Sequence, residues 1–78
     1  MSKILLLGPA REAAGRRHDE IAGQTVAEVL ATAIERYGPS FQEVLLVSRV
    51  WVNGSLARAA DAIGPYDELA VLPPISGG

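Results

Sequence analysis

The sequence predicts an α+β domain in which one β-sheet packs against one main helix. Three observations carry that expectation. Thr25-Val26-Ala27-Glu28 is a capping-box signature, and behind it Val26, Val29, Leu30, Ala33, Ile34 and Tyr37 share one helical stripe. Short apolar runs near both ends of the chain, Ile4-Leu5-Leu6-Leu7 and Leu69-Ala70-Val71-Leu72, have the length of strands rather than helices. Asn53-Gly54, set between Arg49-Val50-Trp51-Val52 and Ser55-Leu56-Ala57, is a strong two-residue hairpin signal.

In chain order, Ile4-Leu5-Leu6-Leu7 is closed by Gly8-Pro9 and reads as a buried first strand. Residues 11–23 are polar and punctuated by glycine, a loop with a second strand around Asp19-Glu20-Ile21-Ala22. The main helix then starts at Thr25 as N-cap, with Glu28 reaching back to it, and stops at Gly38-Pro39. Ser40-Phe41-Gln42-Glu43 repeats the cap pattern and opens another turn or two through Leu46. The Asn53-Gly54 hairpin follows, and residues 59–66 form a connection with a Gly64-Pro65 turn. The last strand, residues 67–72, is ended by Pro73 and Pro74, which have no N–H to give to a ladder. A sheet on a helix is the economical two-layer solution for these elements, in a single domain spanning 1–78.

Composition excludes several functions. The 78 residues are 49% hydrophobic and 21% charged, with net charge −2, the balance of an ordinary globular chain. The only basic cluster is Arg16-Arg17-His18, so the stripe of cations that nucleic acid calls for is missing. Without cysteine there is no disulfide frame and no thiolate nucleophile. No apolar run approaches the length of a signal sequence or membrane span, so a cytoplasmic location and no membrane partner are expected. His18 stands alone in a polar stretch read as a solvated loop, and no metal site is expected. Gly8-Pro9-Ala10-Arg11 lacks the spacing and lysine of a phosphate loop, and there is no nucleophile elbow.

Strand alternation assigns two faces. With Ile4, Leu6, Val50, Val52, Leu69 and Val71 turned to the helix, the outer face collects Leu5, Leu7, Trp51, Ala70 and Leu72. Such an apolar face is either a partner surface, with Trp51 as its best anchor, or is covered by the short helix or the 11–23 loop.

The C-terminal seven residues, Leu72-Pro73-Pro74-Ile75-Ser76-Gly77-Gly78, are the most informative segment. Gly-Gly has no side chain to add to a core and a high ordering entropy. It is expected either to fray, as chain ends do, or to thread a narrow slot and offer its carboxylate to a nucleophile. The strand and proline pair in front of it favour the second reading, with 73–78 an extended flexible tail. Pro73 and Pro74 keep the chain extended and lower the entropy lost on insertion. Ile75 could seat the tail in an apolar pocket, and Ser76 could hydrogen-bond the channel wall.

This finish, with Arg11-Glu12-Ala13-Ala14-Gly15, Val52-Asn53-Gly54 and Asp67-Glu68-Leu69-Ala70, resembles the small sulfur-carrier subunit of molybdopterin synthase, the MoaD type. That family is ubiquitin-like and β-grasp, which implies a mixed sheet of four to five strands on one main helix. Gly8-Pro9 and Gly64-Pro65-Tyr66 depart from its usual pattern, both in connections. The resemblance implies that an adenylating, E1-like activating enzyme joins Gly78 to AMP with ATP, and that a sulfur donor converts it to a thiocarboxylate. The tail, Pro73, Pro74, Ile75, Ser76 and Gly77 included, would then enter the large synthase subunit and deliver sulfur to the pterin precursor. Apolar residues matching Leu7, Leu56 and Leu72 would contact that subunit, completing a partner surface of Leu5, Leu7, Trp51, Leu56 and Leu72. No cofactor is expected on the chain itself, a carrier with no side-chain active site. The rivals are a carrier for thiamine or another sulfur pathway, a ubiquitin-like protein modifier, and a docking module with no covalent role.

Overall fold

A computed structural model describes residues 1–73, and Pro74, Ile75, Ser76, Gly77 and Gly78, with the roles expected of them, lie outside the described residues. The elements are β1 (Ser2–Leu6), α1 (Pro9–Ala14), β2 (His18–Ile21), α2 (Val26–Tyr37), α3 (Pro39–Leu46), β3 (Arg49–Val52), β4 (Ser55–Leu56) and β5 (Glu68–Leu72). The five strands form one mixed sheet in the order β2-β1-β5-β3-β4. The first and last strands lie side by side at its centre and run parallel, Ile4 opposite Leu69 and Leu6 next to Val71. All other pairings are antiparallel. No described helix is long and apolar enough to cross a membrane.

The alternation read from the strands holds. Ile4, Leu6, Leu69 and Val71 are buried with Val26, Val29 and Ala33 of α2, and Val50 and Val52 pack against that core. Leu30, Ile34 and Tyr37 border it, so the whole predicted stripe of α2 faces the sheet. Thr25 caps α2 by accepting from Glu28 N–H at 3.2 Å, whereas the Glu28 carboxylate reaches Gln24 N–H at 3.0 Å rather than Thr25. The β4–β5 connection satisfies two more amides of the first turn: Val26 donates to Asp61 C=O and Ala27 to Ala59 C=O, both at 2.9 Å. Asn53 and Gly54 both have positive φ, 50° and 84°, as a tight hairpin turn requires.

Two readings are corrected. Residues 9–14 form a helix rather than the start of a loop. Pro9 sits at its first position, where a missing N–H costs nothing, and Gly15 ends it in the left-handed conformation at φ 74°. Ala10 is fully buried, which gives this short helix tertiary support. His18 lies not on a loop but at the start of β2, opposite Leu5. The further turn or two expected through Leu46 is α3, whose Phe41 is completely buried and packs edge-on against Tyr37 with ring centroids 5.1 Å apart.

Asp19 fastens β2, an edge strand, to α2. Its carboxylate accepts from Tyr37 Oη at 2.5 Å and Arg36 Nη1 at 2.8 Å, with Arg16 at 3.4 Å. The edge itself is closed by the same group: Glu20 N–H donates to Asp19 Oδ1 at 2.8 Å, and Arg36 Nη1 donates to Glu20 C=O at 3.1 Å. Those are backbone groups through which a foreign strand would add. Desolvation works to raise the Asp19 pKa, but the hydrogen bonds from Tyr37, Arg36 and Glu20 and the Arg36 charge outweigh it and lower it to about 2. Burial, then the Asp19 carboxylate, pushes the Tyr37 hydroxyl up.

Asp19→Asn is expected to lower stability by about 1–3 kcal/mol, read from the midpoint of urea unfolding. The carboxylate titrates lower in the folded state than in the unfolded one, where its pKa is roughly 3.9. Its contribution is therefore present above that value and lost as pH falls toward about 2. Acid unfolding of Asp19→Asn should lack this component, and an unchanged slope between those pH values would show that the cluster does not act.

Candidate functional site

The sheet has a second apolar face, built by the same alternation that makes the core. Cross-strand register places His18, Leu5, Ala70, Trp51 and Leu56 in one row across all five strands. A neighbouring row, nearer the C-terminal end of β5, holds Leu72 opposite Arg49. Leu7 joins it, because its N–H donates to Val71 C=O at 3.1 Å and continues the β1–β5 register. On the other side lies a charged row, Lys3 between Glu20 and Glu68. Leu5, Leu7, Trp51 and Leu72 are partly buried and Leu56 is 57% exposed. The five residues named for this surface from the sequence thus share one face.

The buried side chains of α1 and α3, Ala10 and Phe41, belong to the core cluster with Ile4 and Leu69, on the other side of the sheet. Trp51 Nε1 is buried and has no hydrogen-bond partner among the described residues. An indole N–H in that state costs stability rather than adding to it. The polar rim is better satisfied. Asn53 donates to Asp67 Oδ1 and accepts from Glu68 N–H, both at 2.9 Å, while Asp67 Oδ2 accepts from Gly64 N–H at 2.7 Å. The Gly64 amide, then the Asn53 side chain, hold the Asp67 carboxyl below its ordinary value. This ties the Gly64-Pro65 turn to the hairpin and sets where β5 begins.

Where β5 ends is set by β1. Gly8 has φ +56°, and a Cβ placed on it would stand 3.4 Å from Pro73 Cδ. A larger residue there would be strained in the backbone, while its Cβ would meet the first residue of the tail at ordinary contact distance. Sequence reading treated Gly8-Pro9 only as the stop of a strand and missed this contact. Its signal was Pro9 followed by Gly15, the proline-first, glycine-last pattern of a short helix. The chain leaves the sheet beside Leu7 and Leu72, at the margin of the apolar face.

What this arrangement offers chemically is placement. Among the described residues no cluster of His, Asp or Glu could hold a metal ion. Neither Asp19 nor Asp67, the carboxyls with lowered pKa, lies on the outer rows. The features that converge are an apolar face, an exit for the chain at its edge, and the Gly-Gly that follows.

Comparison with known proteins agrees with this architecture. The structure is similar to small archaeal modifier protein 1 from Methanosarcina acetivorans, at TM-score 0.86 and 26% identity over 99% of this chain and 95% of that one. It is similar to a Pyrococcus furiosus chain ascribed to molybdopterin converting factor, subunit 1, at TM-score 0.83 and 21% identity, over 95% and 97% of the two chains. The Amycolatopsis orientalis BexX/CysO complex contains a similar chain, at TM-score 0.83 and 19% identity over 100% of both. These last two likenesses speak for the β-grasp fold alone. The ThiS family model matches residues 4–78, all of the chain beyond the start of β1 and the Gly-Gly with it, and the chain belongs to this family of ubiquitin-like sulfur carriers and modifiers.

Proposed function

We propose that this protein is a sulfur carrier for molybdopterin biosynthesis, acting as the small subunit of molybdopterin synthase through the carboxylate of Gly78. The observation that carries the reading is the exit of β5 at the margin of an apolar sheet face, followed by Pro-Pro-Ile-Ser-Gly-Gly. A partner seated on Leu5, Leu7, Trp51, Leu56 and Leu72 would have the tail delivered at the edge of its footprint. Five residues beyond Pro73 can reach at most about 17 Å, enough for a buried slot. Side-chain-free glycines let an acyl carbon be approached from either side.

The chemistry follows from the weakness of a carboxylate as an acyl electrophile. An activating enzyme transfers AMP from ATP to the carboxylate and pyrophosphate leaves. The terminal sulfur of a persulfide donor attacks the acyl carbon, and AMP departs with the bonding electrons. Reduction of the remaining S–S bond by a thiol releases the thiocarboxylate. In the large subunit the sulfur is passed to the pterin precursor, and water restores the carboxylate. No step uses a side chain of this protein, whose parts position, dock and extend. A cytoplasmic location goes with this reading.

The proline pair favours molybdopterin over a thiamine carrier, since thiamine-type carriers generally end in Gly-Gly without it. A second reading, a ubiquitin-like modifier joined to lysines of other proteins, draws support from the 26% identity to small archaeal modifier protein 1. The intact mass after incubation with activating enzyme, ATP and a sulfur source separates them. Exchange of one oxygen for sulfur on the last peptide is expected, whereas a Gly-Gly remnant on other proteins would establish the modifier.

Deletion of Gly78 should abolish thiocarboxylate formation while Tm moves by less than about 2 °C, a span worth only a few tenths of a kcal/mol. A large fall in Tm would make the tail a structural element instead. Trp51→Ala should weaken association with the large subunit by about 2 kcal/mol, roughly thirtyfold in Kd, with the monomer still folded by circular dichroism. Leu72→Arg should do the same, and unaltered affinity in both would remove the outer face from the interface.

A further inference from the structure

A second apolar site lies on the other side of the tail's exit, between α1 and α3. The groove is shallow and open, with about 510 Å³ of space; Pro9, Ala13, Val44 and Val47 supply its apolar lining and Glu12 and Glu43 its carboxylates. Val47 is 68% exposed and its neighbour Leu46 is 82% exposed, an unusual cost for aliphatic side chains next to each other. The ion pairs among the described residues both involve Asp19, so neither Glu12 nor Glu43 has a cation there. Apolar lining with two uncompensated carboxylates is complementary to an apolar side chain carried next to a lysine or arginine.

Its position relates it to the tail. Pro9 follows Gly8, which abuts Pro73, and Val47 stands two residues before Arg49, the cross-strand partner of Leu72. The groove therefore starts on both strands that flank β5, at the end where the tail leaves. A second copy of this chain meeting it face to face would oppose Glu12 and Glu43 with themselves. Phosphate-bearing surfaces, whether nucleic acid or anionic lipid, would be repelled by the same pair.

We propose that the α1–α3 groove receives a basic, leucine-like segment of the protein that accepts the tail, giving that partner a second hold on the far side of the exit. This inference rests on the carrier reading for the identity of the partner, but not for the binding chemistry of the groove. Two holds on either side of the exit fix the direction in which the chain leaves the sheet, which one apolar face does not.

The test is titration of the full-length, isotope-labelled protein with a short blocked peptide in which two leucines are flanked by arginines. The control peptide carries glutamates in place of the arginines. Amide shifts at Ala13, Val44 and Val47 are expected with the basic peptide only. The affinity should fall about tenfold in Glu12→Lys/Glu43→Lys and weaken with added salt. The proposal is overturned by no binding, by equal binding of both peptides, by shifts confined to the row around Trp51, or by concentration-dependent shifts without peptide, which would indicate a second copy. In synthase assays with the large subunit, the thiocarboxylated double variant should raise the KM of the carrier about tenfold at unchanged kcat, the signature of lost binding. Unchanged KM also overturns it. Loss of thiocarboxylate chemistry in every variant and in the parent would instead count against the carrier reading, and would leave the peptide result to stand.

Discussion

The parallel pairing of β1 with β5 is the contact on which the remaining structure depends. It joins the first and last strands of the chain, and Ile4, Leu6, Leu69 and Val71 from this one pair are among its most buried residues. Parallel strands cannot be joined by a tight turn, so everything between them serves as the crossover and its outgrowths. The hairpin β3–β4 can only add to the free side of β5, and β2 only to the free side of β1. Because β5 is central, the chain emerges from the middle of the sheet rather than from an edge. A tail leaving from an edge strand would have contact surface on one side only. Here it is flanked by Leu7 and Gly8 on one side and Arg49 on the other.

One alternation does two jobs. In most antiparallel sheets with one face on a core the other face is polar. In this one the outer row reads His18, Leu5, Ala70, Trp51, Leu56, and only the next row is charged. An exposed apolar row would also invite other sheets to add at the edges. The edge at β2 is closed by Asp19 and Arg36 holding the outward N–H and C=O of Glu20, and β4 is only two residues long. On the proposed reading, recognition would thereby be directed to the face and away from the edge. Trp51 fits that division: its ring contributes area to the face, while its buried N–H has no partner among the described residues.

Local signals were legible in the sequence and distant ones were not. The boundaries of α2 followed from Thr25, Glu28 and Gly38, all within one turn of its ends, and the hairpin followed from Asn53-Gly54 alone. The two faces of β1, β3 and β5 followed from a period of two. The strand order did not, because nothing within β5 states that it will lie between β1 and β3. Asp19 sits in a polar run where its charge looked like ordinary surface, and only folding brings Tyr37 and Arg36 to it across 18 and 17 positions. Helix α1 was missed for a different reason. Gly8-Pro9 is both a strand terminator and a helix opener, and the polar residues after it hid the one buried side chain, Ala10. The shared face of Leu5, Leu7, Trp51, Leu56 and Leu72 was legible from alternation and resemblance together, and the groove at Val44 and Val47 from neither.

On the carrier reading, a protein that contributes only a backbone carboxylate to chemistry places an unusual demand on its scaffold. Catalytic side chains are tuned by burial and neighbouring charge, and their sites need convergent polar groups. Here the groups with lowered pKa, Asp19 and Asp67, are spent on fastening an edge strand to a helix and a turn to a hairpin. Both act at a distance from the exit, one on where the sheet stops and one on where β5 starts. Their effect on function runs through geometry: a register shift of β5 by one residue would turn Leu72 and Ala70 inward and Val71 outward. The apolar row would then lose Ala70 and the row beside it Leu72. On the carrier reading, fidelity of that register, held by the Asn53–Glu68 and Gly64–Asp67 bonds at its start, is what would couple a stable small fold to delivery of its last acyl group.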